Sequence, residues 1–143
     1  MHNNFTYHHT TPVQIRFNDF DSLRHINNSV YQNYYDLART DYIELVFNEK
    51  MDWDNKGVVL VKVTIDFIRP ILPDDNVVVK TKIYKIGNKS FGMFQQIIDP
   101  TTSELKSTCD SVMVSYCQGA DKPCPMPIEW RERITKFEND IQF

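Results

Sequence analysis

The residues best able to do chemistry lie close together, in the run NDFDSLRHINN: Asp19, Asp21, His25, Asn27 and Asn28. Carboxylates, an imidazole and helix-starting amides in one short stretch suit attack on a carbonyl group. The carboxylate would supply the electron pair or take a proton from water. Unpaired backbone amides would hold the charge that builds on oxygen. Such amides exist where a helix begins, and the positive end of the helix dipole adds to them. Asp21 stands seven residues before Asn28, a gap that one turn can close. Read alone, the ordinary role of such an acid is a turn or a helix cap. Asp19 is read mainly as holding Arg16 or the turn, and Asn27 as bracing the loop. His25 suits a structural hydrogen bond as well as it suits orienting a substrate.

These residues need a helix that starts at their end and a sheet to hold it. Between Ser29 and Phe47, apolar residues such as Val30, Tyr34, Leu37, Ala38, Tyr42 and Leu45 recur at spacings of three and four. That pattern predicts a long amphipathic helix with Asn27 or Asn28 as its N-cap. Its many tyrosines (Tyr31, Tyr34, Tyr35, Tyr42) predict polar partners along part of the stripe, at a pocket or a subunit boundary, or satisfied hydroxyls in an ordinary core. Before it, Thr10 to Phe17 alternates as a strand, with Val13, Ile15 and Phe17 on one face. After it, Val59, Val61, Val63, Ile65 and Phe67 predict one continuous apolar face. Further strands are expected over Val77–Ile86, Phe91–Ile98 and Leu105–Cys117, with Gly87-Asn88 as a tight hairpin turn. A terminal helix carries Ile128, Ile134 and Phe137, with Trp130 pinning it to the sheet. The expected order is strand, helix, four strands, helix. This is an α+β fold in which one long helix lies on a curved antiparallel sheet.

Composition sets the outer limits. The 143 residues predict one domain over 1–143, with an ordered core at about 10–137. A net charge of −3 does not advertise a phosphate-backbone binder, so no nucleic acid is expected. No stretch reaches the roughly 20 apolar residues of a membrane span. The polar N-terminal run lacks the layout of a secretory signal, so the cytoplasm is the expected location. Cys109, Cys117 and Cys124 form no CxxC pair and are read as reduced thiols. No metal-ligand spacing and no GxSxG elbow appears.

The segment IRFNDFDSLRHINNSVYQNYYDLAR, Ile15 to Arg39, resembles the signature of the 4-hydroxybenzoyl-CoA thioesterase-like branch of the hotdog-fold superfamily. The stretch VTIDFIRPILPDDNVVVKTKIYKIGNKSFGMFQQI is similar to the later strands of that family, including Arg69-Pro70 and Gly87 to Phe91. The resemblance implies a central helix wrapped by five or six antiparallel strands. It also implies a homodimer or tetramer whose sheets join edge to edge, with acyl-CoA thioesters bound at the interface. It assigns the catalytic carboxylate to Asp21 and the carbonyl-polarising amide to Asn28, with His25 beside them. One departure stands out: relatives carry glycine where this chain has Arg24. Candidate substrate contacts are Asn27, Tyr31, Arg69, Ser90 and Lys89, with Lys82 and Lys85 as further sites for charge pairing to phosphate. No cofactor is expected, because coenzyme A is part of the substrate. The competing readings are a thioesterase for acyl-carrier protein, a non-catalytic acyl-binding domain, and a hydratase on the same fold.

Overall fold

The computed structural model describes residues 4–48, 56–117 and 122–142. In chain order these form β1 (His9–Pro12), a single 3-10 turn (Phe17–Asp19), α1 (Asn28–Val46), β2 (Lys56–Phe67), β3 (Val78–Ile86), β4 (Ser90–Ile98), β5 (Leu105–Cys117), β6 (Lys122–Pro123) and α2 (Ile128–Phe137). The sheet runs β1-β3-β4-β5-β2 with every pairing antiparallel, and β6 adds to the end of β5. α1 lies across its inner face. Asn27 caps the helix by accepting the Ser29 amide, and Asn48, with φ of 57°, turns the chain just after it.

The helix packs into two adjoining clusters. Tyr31, Tyr35 and Ala38 meet Ile26, Ile71, Val79 and Ile97 at its first half. Tyr42, Val46 and Phe47 meet Ile83, Met93, Trp130 and Ile134 at its second. Trp130 stacks on Phe47 with ring centroids 4.7 Å apart, which docks α2 as expected. The tyrosine hydroxyls find partners inside the chain: Tyr34 on Asp19, Tyr35 on Ser107 and Tyr42 on Glu138.

Four expectations need correction. The first strand is shorter than Thr10–Phe17: it covers His9–Pro12, one further bond joins the Val13 amide to the Val77 carbonyl at 3.3 Å, and Phe17 is 92% exposed on the 3-10 turn. The register of β2 shifts between Leu60 and Lys62, so the inner face reads Val58, Leu60, then Val63 and Ile65. One extra residue reverses the alternation, leaving Val59 and Val61 exposed. The third concerns the cysteines: Cys117 and Cys124 form a disulfide, and only Cys109 is a free, buried thiol. Chain reversal explains the pairing. β6 doubles back on β5 with Cys117 opposite Lys122, bringing two cysteines seven apart in sequence to a Cα separation of 5.6 Å. Lys82 is corrected too. It is fully buried, paired with Asp140 at 2.5 Å and lying over the Phe5 ring, so it is not available to a phosphate.

The N-terminal segment is tied to α1 by buried His9, whose Nε2 lies 3.0 Å from Asp41. Burial lowers the His9 pKa, against the pull of the Asp41 carboxylate. The neutral ring therefore contributes fully above the unfolded-state value, and that contribution is lost as pH falls through the folded-state one. His9→Gln should lose less stability than the parent as pH falls below about 6.5. Equal shifts in urea midpoint for the two proteins would exclude this. For the disulfide, reductant should lower unfolding stability by about 2 kcal/mol. A Cys117→Ser/Cys124→Ser variant should show no response to dithiothreitol in the same titration.

Candidate active site

Asp19 to Asn27 folds as a miniature hairpin that feeds directly into α1. The Asn27 amide donates to the Asp19 carbonyl at 2.8 Å, and the Asp21 amide to the His25 carbonyl at 2.9 Å. Phe20 faces Ile26 as the bridge between them. Alternation then separates two faces. Ile26, 2% exposed, and half-buried Phe20 turn inward to the core, and the Ile26 amide is held by the Ile71 carbonyl at 3.1 Å. Asp19, Asp21, His25 and Asn27 therefore share the opposite, outward face.

The loop closing this hairpin is set by Asp21 itself. Its Oδ1 accepts the Leu23 amide at 2.9 Å and the His25 amide at 3.2 Å. The other carboxylate oxygen has no partner among the described residues. The Arg24 amide donates to the Asp21 carbonyl, and Arg24 takes a φ of 61°. The position does require the left-handed conformation that glycine adopts freely, and arginine occupies it at a cost.

At the helix start, Asn27 holds the Ser29 amide through its side chain and the Val30 amide through its carbonyl. The Asn28 amide is left without an acceptor among the described residues. This is the arrangement a developing oxyanion needs: a free N–H at the positive end of a 19-residue helix. Beside it, the Tyr34 hydroxyl donates to Asp19 Oδ2 at 2.6 Å. Burial first, and the Asp19 hydrogen bond second, push the Tyr34 pKa up, which keeps it a protonated donor. This pair is not evident in the sequence, although the tyrosine-rich stripe pointed to such a partner.

The candidate substrate contacts divide between two ends of the sheet. Tyr31 is buried at the Asp21 end, edge-on to Phe67 at 4.9 Å. Arg69 is exposed at the same end, 4.0 Å from Glu104. Lys89, exposed, and Ser90, half-buried, lie at the β3–β4 hairpin. Along β5, Phe67 pairs with Ser107 while Ser90 pairs with Val114. Seven residues of strand put these two ends about 23 Å apart. Within one chain, Ser90 and Lys89 do not meet Asp21.

Arg24→Gly should raise unfolding stability by about 1 kcal/mol by relieving the positive φ, and should be read as a shift in urea midpoint. An unchanged or lowered midpoint would mean that the loop does not carry this strain.

The comparisons bear on the whole arrangement. The long-chain acyl-CoA thioesterase FadM of Escherichia coli is 26% identical over 132 residues, covering 89% of this chain and 97% of that protein. The structure of a thioesterase from Thermus thermophilus, complexed with coenzyme A and Zn, superposes with a TM-score of 0.78 at 29% identity, covering 92% of this chain and 95% of that one. The PA5185 protein of Pseudomonas aeruginosa matches at 20% identity with a TM-score of 0.84, covering 95% of each chain. The helix wrapped by a six-stranded antiparallel sheet is the hotdog fold of these proteins. The model of the thioesterase-like superfamily matches residues 15–134, so this chain belongs to that superfamily.

Proposed function

We propose that this protein hydrolyses acyl-CoA thioesters, with Asp21 as the essential carboxylate and the Asn28 amide gripping the carbonyl oxygen. The observation that carries the reading is the shared outward face of Asp21, His25 and Asn27, on a hairpin running into a helix start with a free amide. The thioester carbonyl sits on the Asn28 N–H and draws on the helix dipole as it becomes tetrahedral. The unpaired oxygen of Asp21 attacks it, giving a mixed anhydride that water then cleaves, or takes a proton from the attacking water. Coenzyme A leaves as a thiolate, which needs no strong general acid. His25, fixed by its backbone to Asp21, lines the same face and orients the substrate. In a single turnover in 18O-labelled water, label recovered in Asp21 marks an anhydride opened at the Asp21 carboxyl carbon, whereas the general-base route places label only in the released acid.

The site is completed by a second copy. β2 is an edge of the sheet and is twelve residues long, a length that rarely stays unpaired. Two-fold pairing of such edges is antiparallel and brings the Val59 end of one copy to the Phe67 end of the other. The partner's Ser90 and the partner's Lys89 then face Asp21, where they and Arg69 hold the coenzyme A arm. Charge pairing to an acyl-carrier protein in place of coenzyme A is the second reading, tested by comparing rates on matched CoA and carrier thioesters.

Asp21→Asn should lower thiol release by about 1,000-fold, within the range expected for losing a catalytic base, while leaving the urea midpoint within about 1 kcal/mol of the parent. Near-parental turnover by the variant on the best substrate of a broad acyl-CoA panel would remove Asp21 from the mechanism.

A further inference from the structure

A recess of about 320 Å³ opens on the flank of α1 that faces β1, away from the β2 edge. Its apolar walls come from Pro12 and Val13 on one side and from Val30 and Leu37 of α1 on the other. Its polar lining is Asp19 with Tyr34, together with Thr11, Gln14, Arg16 and Asn33. Asp19 Oδ2 already accepts two hydrogen bonds, from the Tyr34 hydroxyl at 2.6 Å and the Arg16 amide at 2.9 Å. Oδ1 has no partner among the described residues, so the carboxylate offers one acceptor into the recess.

Two features fix how a ligand would enter and where it would stop. The Asp19 carbonyl holds the Asn27 amide at 2.8 Å, so the acid lies at the helix-start end, on the same hairpin face as Asp21. From Val30 to Leu37 the wall extends about 10 Å along the helix, the reach of an extended chain of about eight carbons. One turn beyond Leu37, β1 is pinned to α1: Thr11, itself lining the recess, donates to Asp41 at 3.1 Å, and His9 meets the same carboxylate at 3.0 Å. That contact closes the far end.

We propose that this recess holds the acyl group and selects a medium-length acyl chain bearing a hydroxyl near the thioester, which donates to Asp19 Oδ1. This inference rests on the thioesterase reading above and specifies its substrate class. A polar acid-tyrosine wall beside the first carbons disfavours a plain alkyl chain, since burying an apolar group there takes water from Asp19 Oδ1 and gives it no donor in return. A closed end one turn past Leu37 disfavours long chains. The class differs from the long-chain substrate named for the Escherichia coli relative.

The test compares 3-hydroxyoctanoyl-CoA, octanoyl-CoA and palmitoyl-CoA by thiol release, with the same three measured as equilibrium binding to the Asp21→Asn protein. The hydroxylated substrate should lead octanoyl-CoA in kcat/KM by about 10- to 100-fold, the span of one hydrogen bond to a charged group. Palmitoyl-CoA should be the poorest. In Asp19→Ala that ratio should fall to near one, and Asp19→Asn should keep part of it. Val30→Phe, which narrows the recess without touching Asp19, should move the optimum to shorter chains. Equal rates with and without the hydroxyl, or an optimum at sixteen carbons, would overturn the proposal while leaving hydrolysis intact. If no thioester is turned over, the thioesterase reading fails, and the binding ratio still decides the recess: a hydroxyl preference abolished by Asp19→Ala supports it, and indifference sinks it.

Discussion

The site depends on backbone pairing within nine residues. Asp19 is bonded to Asn27 and Asp21 to His25, with the Phe20–Ile26 bridge between them. Side chains alternate across such a ladder, so one choice settles all the others. Ile26 goes inward because its side chain is fully covered and its amide has a fixed acceptor on Ile71. The acids, the histidine and the capping asparagine are then forced outward together. A slip of one residue would bury Asp21 and expose Ile26, a change that costs both a hydrophobic contact and an unpaired charge in the core. The hydrophobic residue between the polar ones is therefore what orients the polar set.

How much of this was legible in the sequence depends on the physical origin of each feature. The helix boundaries were, because nineteen residues of amphipathic period with a terminal asparagine leave little choice. The long strands from Val78 onward were equally plain. Parity within β2 was not, since a bulge arises from pairing with a neighbour and leaves no mark in the strand's own pattern. Val59 and Val61 look like core by alternation and are surface by register. The disulfide was hidden for a similar reason: it depends on a two-residue strand, Lys122–Pro123, too short to show a period. Lys82 reads as an ordinary strand lysine, and only the folding-back of both chain ends buries it against Asp140 and Phe5. In the site, proximity of Asp21 to the helix start was legible from spacing. The role of Asp19 as partner to Tyr34 required the three-dimensional fold.

The position of Arg24 links sequence departure to geometry. A hairpin of this kind must reverse within three residues, and the backbone does so through a positive φ at the last of them. Relatives by resemblance meet that need with glycine; this chain meets it with a long cationic side chain. Exposure makes the strain tolerable, since the side chain meets no wall, and the Asp21 Oδ1 bonds to Leu23 and His25 hold the turn from inside. The carboxylate thus divides its oxygens: Oδ1 shapes the loop, and the other, without a partner among the described residues, is the one the proposed reaction would use.

That division also explains why the two flanks of α1 can serve different ends in the proposed dimer. On the β2 side, the helix start faces an open sheet edge, where a second copy would bring the hairpin carrying Ser90 and Lys89 from about 23 Å away. On the β1 side, the Asp41 contacts with Thr11 and His9 seal the helix to its own sheet. A thioester has two dissimilar halves, a long polar coenzyme and an acyl group, and the free Asn28 amide lies where the two flanks meet. The open flank can accept the half that must reach across to a partner. The closed flank can measure the half that must fit within one chain. In the proposed reaction the carbonyl would sit between them, at the helix start that both halves of the thioester would share.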